Sequence, residues 1–390
     1  MTQKLPNFLS GQWQTGTGAG TPLFDPVLGT ELVQVDATGL DLAAGFAFAR
    51  EQGGSALRAL TYRQRASMLA AAVKVLQANR DAYYDIATAN SGTVKNDTAV
   101  DVDGGIFTLG TYAKLGLVGK SCASTAIWRA RIRQTHHAAP GSEAFDLFAK
   151  EVAREMTVKS GQKCTAIRRA LVPEVHYSAA AQAITARLAK TTVGNPRHES
   201  VRMGALVNRA QLASVQEGLA YLKHQAEVLH DGSTHALTDA DAGTACCVGS
   251  TLLGTRSASG SDTADRVHDT EVFGPVATLI PYRDVAHAMA LIRRGQGSLV
   301  TSIYGGDPAS LAAAALELAG SHGRVHVISP DVAALHTGHG NVMPQSLHGG
   351  PGRAGGGEEL GGLRALNFYH RRSAVQASSA VLAALNPLTN

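Results

Sequence analysis

The sequence predicts an α/β protein built around a parallel sheet. From residue 276 onward, strand-like apolar segments alternate with segments of helical length, and this alternation is typical of parallel sheets covered by helices on both faces. Hydrophobic residues make up 44% and charged residues 17% of the 390-residue chain. That balance is typical of globular proteins and excludes a largely disordered or fibrous one.

The N-terminal part is predicted to form short strands and then helices. Residues 8–24 mix apolar and aromatic side chains with glycine and other turn residues, which indicates short strands. Thr61-Tyr62-Arg63-Gln64 is a capping box, and apolar residues recur every three or four positions after it as far as Leu76. We therefore expect an amphipathic helix there. Two more helices are predicted over residues 81–89 and 103–117.

The rest of the chain shows the alternation more clearly. Apolar residues at helical spacing predict a helix over residues 145–156, and Gly161 can end it. Strands are predicted at residues 167–172, 276–282, 299–304 and 324–329, and helices at residues 212–222, 285–294 and 308–319. Residues 349–362 are so rich in glycine that we expect loops and tight turns, and residues 371–377 are a candidate terminal strand.

Charge and composition exclude several functional classes. The chain has 35 Lys and Arg against 31 Asp and Glu, a net charge of +4, and 5% aromatic residues. We therefore expect neither a nucleic-acid partner nor a membrane partner. The first residues carry no targeting signal, and no apolar run approaches the length of a membrane span. Four cysteines are too few for a disulfide scaffold in a chain of this length, so we expect a cytoplasmic protein with reduced thiols.

One internal segment differs in character from the sequence on either side. From Lys120 to Pro140 the chain has no acidic residue and no clean periodicity, but several basic residues: Arg129, Arg131, Arg133, His136 and His137. Normal patterning resumes at Glu143. The sequence therefore divides into four parts: residues 1–119, an atypical junction 120–142, residues 143–348, and a C-terminal segment 349–390 that begins with the Gly-rich stretch.

Cys164 is the first candidate for chemistry. It lies in Gly161-Gln162-Lys163-Cys164-Thr165, and basic residues surround it in sequence: Lys159, Lys163, Arg168 and Arg169. Neighbouring cations favour the thiolate, which is the nucleophilic form of cysteine, so we expect Cys164 to be alkylated fastest of the four thiols. The alternative is a buried structural cysteine, which composition alone favours.

A second compact motif, Glu271-Val272-Phe273-Gly274-Pro275, stands directly before a predicted strand. In a functional interpretation, the Glu271 carboxylate binds sugar hydroxyls and the Phe273 ring packs against a flat ligand. In the alternative interpretation, Glu271 is an ordinary surface residue and Phe273 a core residue, and this second interpretation is favoured by the motif alone.

The remaining motifs carry less information. Residues 350–355 match the letters of the GxGxxG dinucleotide fingerprint, but no strand precedes them and Gly356-Gly357 would disrupt the helix that must follow. We therefore reject that motif. Cys246-Cys247 are predicted core residues. Neither they nor His336-x-x-His339 has a second pair of ligands nearby, so no metal site is predicted.

The Cys164 and Glu271 motifs together resemble those of the aldehyde dehydrogenase superfamily, as do residues 7–13 and Asp25-Pro26-Val27. Further segments are similar to one branch of that family, which acts on semialdehydes of ring-opened acyl-CoA thioesters in aerobic aromatic-compound degradation. These segments are Arg154 to Thr157, Gly161 to Arg169, Met203 to Asn208 and the long run from Thr337 to Arg364. The resemblance covers about residues 5–118 and 143–380 of the chain.

The resemblance implies an aldehyde-dehydrogenase-like α/β fold, NAD or NADP as cofactor, and an aldehyde substrate. The branch implies a CoA thioester of the 3,4-dehydroadipyl-CoA semialdehyde type, oxidised to the acid. Cys164 would form a thiohemiacetal with the aldehyde, and hydride transfer would leave a thioester for water to hydrolyse. Glu271 would hold the nicotinamide ribose, Phe273 would border the nicotinamide, and the Cys164 backbone N–H would bind the oxyanion. Members of the family form homo-oligomers.

The sequence departs from the family between Leu117 and Glu143, where the family carries on the order of 130 more residues, about the size of a small domain. The resemblance places there a second oxyanion donor, the general base, the pyrophosphate-binding loop and most of the oligomerisation hairpin. It implies that residues 1–119 are a truncated Rossmann-type cofactor domain and residues 143–348 a near-complete catalytic domain.

Residues 120–142 are then explained by an internal deletion, a frameshift or a faulty gene model, and we expect little or no dehydrogenase activity. Two alternatives follow from the same departure. One is an inactive remnant that does not bind cofactor. The other is a cofactor-independent thiol esterase that uses Cys164.

Overall fold

The computed structural model describes residues 2–118, 138–370 and 373–385. Its N-terminal part begins with short strands: β1 (Lys4–Leu5), β2 (Asn7–Leu9), β3 (Gln12–Gln14), β4 (Thr21–Phe24) and β5 (Glu31–Val35). β2 and β3 pair as an antiparallel hairpin, and β5 lies between β1 and β4 in a separate sheet. The strands predicted for residues 8–24 are therefore confirmed.

Helices follow these strands: α1 (Leu42–Phe48), α2 (Gly54–Arg58), α3 (Tyr62–Ala78), α4 (Arg80–Ser91) and α5 (Lys95–Val118). The capping box at Thr61 is present at the start of α3, as predicted. α5 begins at Lys95 rather than near Asp103. Sequence patterning misses its first turns because Asp97 and Thr98, which resemble turn residues, are buried there.

Much of the apolar surface of α1–α5 is exposed. In α3, Ala66 is buried, whereas Met68 is 55% exposed. Phe46, Ile86 and Phe107 on the neighbouring helices are also more than half exposed. Periodicity thus predicts the helices correctly but not their burial, because an apolar stripe is buried only where another surface packs against it.

The second part of the chain folds around a mixed sheet with the strand order β6–β9–β8–β7. β9 pairs in parallel with both β6 and β8, and β7 is antiparallel to β8. The elements in chain order are α6 (Glu143–Thr157), β6 (Arg169–Pro173), α7 (Tyr177–Leu188), α8 (Arg209–Leu222), β7 (Glu227–Asp231), β8 (Thr251–Gly254), α9 (Ala258–Thr263), α10 (Asp265–Asp269) and β9 (Val276–Tyr282).

The C-terminal elements alternate as predicted, but they do not extend that sheet. They are α11 (Val285–Arg293), β10 (Ser298–Tyr304), α12 (Pro308–Leu318), β11 (His322–Ile328), α13 (Leu363–Tyr369) and α14 (Ser379–Leu385). β10 and β11 pair in parallel as a sheet of their own. Residues 373–378 form no strand, in contrast to the expectation for residues 371–377, of which residues 371 and 372 lie outside the described residues.

The alternation of side chains along β9 divides the core into two apolar layers. Ala277 and Leu279 pack with residues of α6 and α7 on one face. Val276 and Ile280 pack with residues of α8 and α11 on the other face. The sheet is therefore covered by helices on both sides, which confirms the predicted α/β class.

Other expectations concern the loops, the junction and membranes. Residues 349–362 form turns, a short 3-10 turn at Gly352–Ala354 and an isolated bridge between His348 and Leu360, as the glycine content predicts. Of the junction 120–142, only residues 138–142 are described, so all its basic residues and Cys122 lie outside the described residues. No helix in the described part of the chain combines the length and apolar character needed to cross a bilayer.

Candidate active site

The loop that carries Cys164 begins with three successive residues in the left-handed backbone region. α6 ends at Thr157, and Lys159, Ser160 and Gly161 then have φ angles of 55°, 52° and 68°. The helix thus ends before Gly161, where the sequence predicted its end. Two hydrogen bonds hold the reversal. The Lys159 N–H donates to Asp97 Oδ2 at 2.7 Å, and Ser160 Oγ donates to the Gly204 carbonyl at 2.9 Å.

The two sequence motifs pack against each other backbone to backbone. A β-carbon built on Gly161 would lie 2.2 Å from the carbonyl oxygen of Gly274, a distance that no side chain tolerates. The left-handed φ at Gly161 adds to the demand for glycine at this position. Gln211 Nε2 also donates to the Phe273 carbonyl at 2.7 Å and supports the second motif from α8. Glycine in the first motif is therefore what allows the second to come close to Cys164.

Arg168 ties the two motifs together. Its guanidinium donates to the carbonyls of Gly274 and Gly161, both at 2.7 Å. Its Nε lies 3.5 Å from Glu271 Oε1, and its guanidinium carbon Cζ lies 5.4 Å from the centre of the Phe273 ring. Burial lowers the pKa of Arg168, while the nearby Glu271 and Cys164 act in the opposite direction. Sequence reasoning counted Arg168 only as a basic neighbour and missed this bridging role.

The basic neighbours of Cys164 are mostly turned to other partners. Lys159 Nζ lies 2.8 Å from Asp101, and Lys163 Nζ lies 2.7 Å from Glu155. Arg169 bonds to His268 Nδ1 and to the Leu291 carbonyl, both at 3.0 Å. Three of the four basic residues that surround Cys164 in sequence therefore have partners elsewhere. Arg168 remains coupled electrostatically to the thiol.

The three described cysteines occupy different environments. Cys164 is exposed, whereas Cys246 is buried in the core as predicted, and Cys247 is half-buried. Burial raises the pKa of Cys246 and raises that of Cys247 to about 12. Of these three thiols, Cys164 therefore has the best access for a substrate.

A histidine and a carboxylate stand beside Cys164 that sequence reasoning did not single out. His348 Nε2 lies 3.9 Å from Cys164 Sγ, and Glu359 Oε2 lies 3.5 Å from the same nitrogen. Both residues fall inside the long C-terminal run that resembles the family. The run itself was therefore a usable signal, but no spacing rule joins a histidine to a cysteine 184 positions away.

Cys164, Glu271 and Phe273 line one cavity of about 630 Å³. Its walls include β6 and β10, whose neighbouring edges are unpaired in the described residues. Apolar side chains form part of the lining, among them Phe148, Ile167, Leu299 and Tyr304. The Glu271 side chain is 50% exposed, and Phe273 as a whole residue is 38% exposed. The structure thus brings the three sequence-predicted residues to one concave, partly apolar site.

The aldehyde dehydrogenase family model matches residues 142–375, more than half of the chain. The chain belongs to the aldehyde dehydrogenase family. The match takes in Cys164, Arg168, Glu271, Phe273, His348 and Glu359. Membership of the aldehyde dehydrogenase family supports the expected aldehyde substrate and the expected use of NAD or NADP.

Comparisons with individual proteins give the same picture. The chain is 37% identical to the 3,4-dehydroadipyl-CoA semialdehyde dehydrogenase of Aromatoleum evansii, over 89% of this chain and 93% of that protein. It is 44% identical over 185 residues to protein MaoC of Klebsiella aerogenes, which covers 47% of this chain and 52% of that one. The fold is similar to that of succinate-semialdehyde dehydrogenase from Burkholderia pseudomallei, with a TM-score of 0.75, 17% identity and coverage of 94% and 96%.

The alignment with the Aromatoleum evansii aldehyde dehydrogenase spans 482 positions, more than the 390 residues of this chain. That relative therefore has residues without a counterpart here. The comparison does not place these residues, so the position of the predicted deletion stays a prediction.

The described residues fit one end of the aldehyde dehydrogenase cofactor better than the other. Beside Cys164, the exposed Glu271 carboxylate can accept hydrogen bonds from ribose hydroxyls, and the exposed Phe273 ring offers a face to a nicotinamide. In residues 2–118 the chain passes from strand to helix once, from β5 to α1. There the Asp41 carboxylate caps the helix and accepts from Ala44 N at 2.9 Å. A carboxylate at that position opposes a bound pyrophosphate, which needs free N–H groups.

Proposed function

We propose that this chain oxidises an acyl-CoA semialdehyde to the acid, with Cys164 as the nucleophile and NAD(P) as the hydride acceptor. The observation that carries the proposal is the convergence of Cys164, Glu271 and Phe273 on one cavity. The identity to the Aromatoleum evansii enzyme supports the choice of a CoA-linked semialdehyde of the 3,4-dehydroadipyl type. We also propose residues 143–348 as the catalytic domain, since the site rests mainly on that segment.

The chain's own groups can carry out the thiol part of the reaction. Cys164 Sγ is exposed at the cavity and can add to the aldehyde carbon. In the part of the chain that is described, the Cys164 backbone N–H donates to no acceptor. It is therefore available to bind the oxygen that becomes negative as the C–S bond forms.

The second motif positions the other reactant. When bound, NAD(P) supplies the hydride acceptor that converts the thiohemiacetal into a thioester. Glu271 is held by Arg168 at 3.5 Å, so its carboxylate is oriented before any ribose arrives. Phe273 is fixed by the bond from Gln211 to its carbonyl and by the cation above its ring. Glu271 and Phe273 are thus oriented next to Cys164 before the cofactor binds.

A single-turnover experiment tests the proposal. The wild-type protein, mixed with an acyl-CoA semialdehyde and NAD or NADP, is expected to form NAD(P)H in an amount that does not exceed the enzyme before water releases the acid. Cys164→Ala should form none. Cys247→Ala removes a thiol that does not line the cavity and should behave as wild type. Equal NAD(P)H formation in Cys164→Ala and wild type would refute the proposal.

A further inference from the structure

His348 is a titratable residue in contact with the Cys164 thiol. Its Nε2 faces the sulfur at 3.9 Å and the Glu359 carboxylate at 3.5 Å. The His348 side chain is 16% exposed, whereas that of Glu359 is 70% exposed. One imidazole nitrogen therefore lies between the exposed Cys164 thiol and a carboxylate that is open to water.

The Gly-rich segment holds this arrangement in place. The Glu359 N–H donates to the His348 carbonyl at 2.8 Å, and a β-bridge joins His348 to Leu360. Gly349 has a φ of 142°, and a β-carbon there would lie 2.2 Å from the Gly357 carbonyl oxygen. The chain can fold back on itself so closely only because these positions are glycines. His348 and Glu359 are thus brought together by the loop rather than by chance contact of long side chains.

The other ionisable groups next to Cys164 are already engaged. Lys163 forms a buried ion pair with Glu155, and Glu271 faces Arg168. An arginine cannot accept a proton at neutral pH. Within the described residues, His348 is therefore the group placed to take the proton from the thiol.

We infer that His348 is a catalytic base of this site. Its Nε2 accepts the Cys164 proton and later accepts a proton from the water that hydrolyses the acyl-cysteine. The exposed Glu359 carboxylate passes the His348 proton to solvent. The inference rests on the proposed role of Cys164 as nucleophile. It does not depend on the hydride step, so it applies equally to any ester or thioester acyl group that reaches the sulfur.

The steps balance as follows. The S–H bond of Cys164 breaks, its proton moves to His348 Nε2, and the sulfur bonds to the carbonyl carbon of the ester or thioester while the C=O π pair moves onto oxygen. The C=O bond then re-forms as the bond to the alcohol, phenol or thiol group breaks, and the Nε2 proton leaves with that group or passes to water beside Glu359, which frees Nε2. In deacylation, a water O–H proton moves to Nε2 and the water oxygen bonds to the acyl carbon. The C–S bond then breaks, and the departing sulfur recovers the proton from Nε2. The sum is acyl-cysteine plus water giving a carboxylic acid and free Cys164, with no change of oxidation state.

Hydrolysis of p-nitrophenyl acetate without NAD(P) provides the test. Wild type is expected to show a Cys164-dependent burst and turnover, each with its own pH profile. His348→Gln should lower both rates by roughly 10²-fold, and its rate should instead follow hydroxide concentration. His348→Ala should be rescued by added imidazole, a response that a merely structural role would not produce. His224→Gln, at an exposed histidine on another surface, is the matched control and should not change either rate.

The outcomes separate the inference from the proposed function. If Cys164→Ala retains the burst, the nucleophile assignment fails and the inference fails with it. If Cys164→Ala abolishes the burst but His348→Gln keeps the wild-type pH profile, only the inference is overturned. Should His348→Gln not fold, Glu359→Gln decides, because its exposed side chain can be changed without disturbing the fold. A slower, pH-shifted burst in Glu359→Gln supports the inference, and an unchanged profile overturns it.

Discussion

Lys163, the residue directly before Cys164, forms an ion pair of 2.7 Å with Glu155, and the two side chains are only 9% and 1% exposed. The pair anchors the loop of the nucleophile to α6. Gly340 completes the anchor, since its N–H lies 3.3 Å from Glu155 Oε1 and its carbonyl accepts from Thr165 at 2.9 Å. The position of Cys164 therefore depends on a charge pair that is shielded from water.

Lys163→Met should lower the free energy of unfolding by about 3–5 kcal/mol, because it leaves the Glu155 charge buried without a partner. The double variant Lys163→Met/Glu155→Gln should lose less, since the amide removes that charge and still accepts from Gly340. Lys159→Met, which breaks the more exposed pair with Asp101, is the control and should cost less than about 1 kcal/mol. Denaturant unfolding measures all three. A Lys163→Met cost no larger than that of Lys159→Met would contradict the prediction.

Gly161→Ala should destabilise the protein by more than the cost of its left-handed backbone alone, because the new methyl group would overlap the Gly274 carbonyl. Gly141→Ala is a matched control, since Gly141 also has a positive φ, of 85°, but nothing lies within 4 Å of a β-carbon there. We expect about 1–2 kcal/mol for Gly141→Ala, the backbone cost alone, and more for Gly161→Ala. Thermal unfolding compares the two, and equal costs would show that the loop can move aside.

Cys164 should be alkylated faster than Cys246 and Cys247 near neutral pH. Access to the sulfur and the raised pKa values of the two other thiols both favour this order. Peptide mapping after brief iodoacetamide treatment measures it. Faster labelling of Cys246 or Cys247 would remove the physical support for Cys164 as nucleophile.

Ionisation of Asp97 should lower the free energy of unfolding as pH rises from about 4 to about 6. Burial raises its pKa from 3.8 to about 6, so in that range the folded state binds the proton more tightly than the unfolded state. Protonated Asp97 stabilises the folded state by an amount on the order of 3 kcal/mol. This contribution is fully present below pH 4 and lost above pH 6. Asp97→Asn keeps an oxygen for the Lys159 N–H but does not titrate. Urea unfolding at both ends of this range should therefore show a wild-type-minus-variant difference that falls with pH, and a constant difference would argue against it.

Steady-state dehydrogenase activity should be at least about 10²-fold below that of the Aromatoleum evansii relative, assayed by NAD(P)H absorbance with the same semialdehyde. The family resemblance places a second oxyanion donor in the segment that the sequence lacks, and loss of one such donor typically costs about 10²–10³ in rate. Comparable turnover in the two proteins would mean that the junction supplies what the sequence suggests is missing.

How far the sequence predicts the site depends on the distance between the residues concerned. Cys164 and the Glu271 motif could be found because each sits in a compact local pattern. His348 could not, because its approach to Cys164 depends on how a Gly-rich segment folds back, and glycine content indicates turns without indicating their direction. The sequence identifies Arg168 only as a nearby positive charge, because its contacts with Gly161, Gly274 and Glu271 arise only when the two motifs meet.

The fold was predictable to a similar degree. Strand and helix alternation predicts the class and the five elements from β9 to β11, since each of them carries its own periodicity, but it does not predict α13 or α14. The separation of β10 and β11 from the β6–β9–β8–β7 sheet was not predictable, because strand pairing is decided by tertiary packing and not by the strand's own residues. Helix α5 was shortened in the prediction for the same reason, as burial of Asp97 overrides its turn-like character.

The exposed apolar faces of α1–α5 have a consequence for the fate of the protein in a cell. Side chains such as Phe46, Ile86 and Phe107, each more than half exposed, are what chaperones and proteases recognise in incompletely folded chains. Chaperones retain such a chain and proteases cleave it, to an extent that depends on how long this apolar surface stays exposed. We therefore expect proteolysis to begin in the N-terminal helices and to leave a fragment that starts near Glu143.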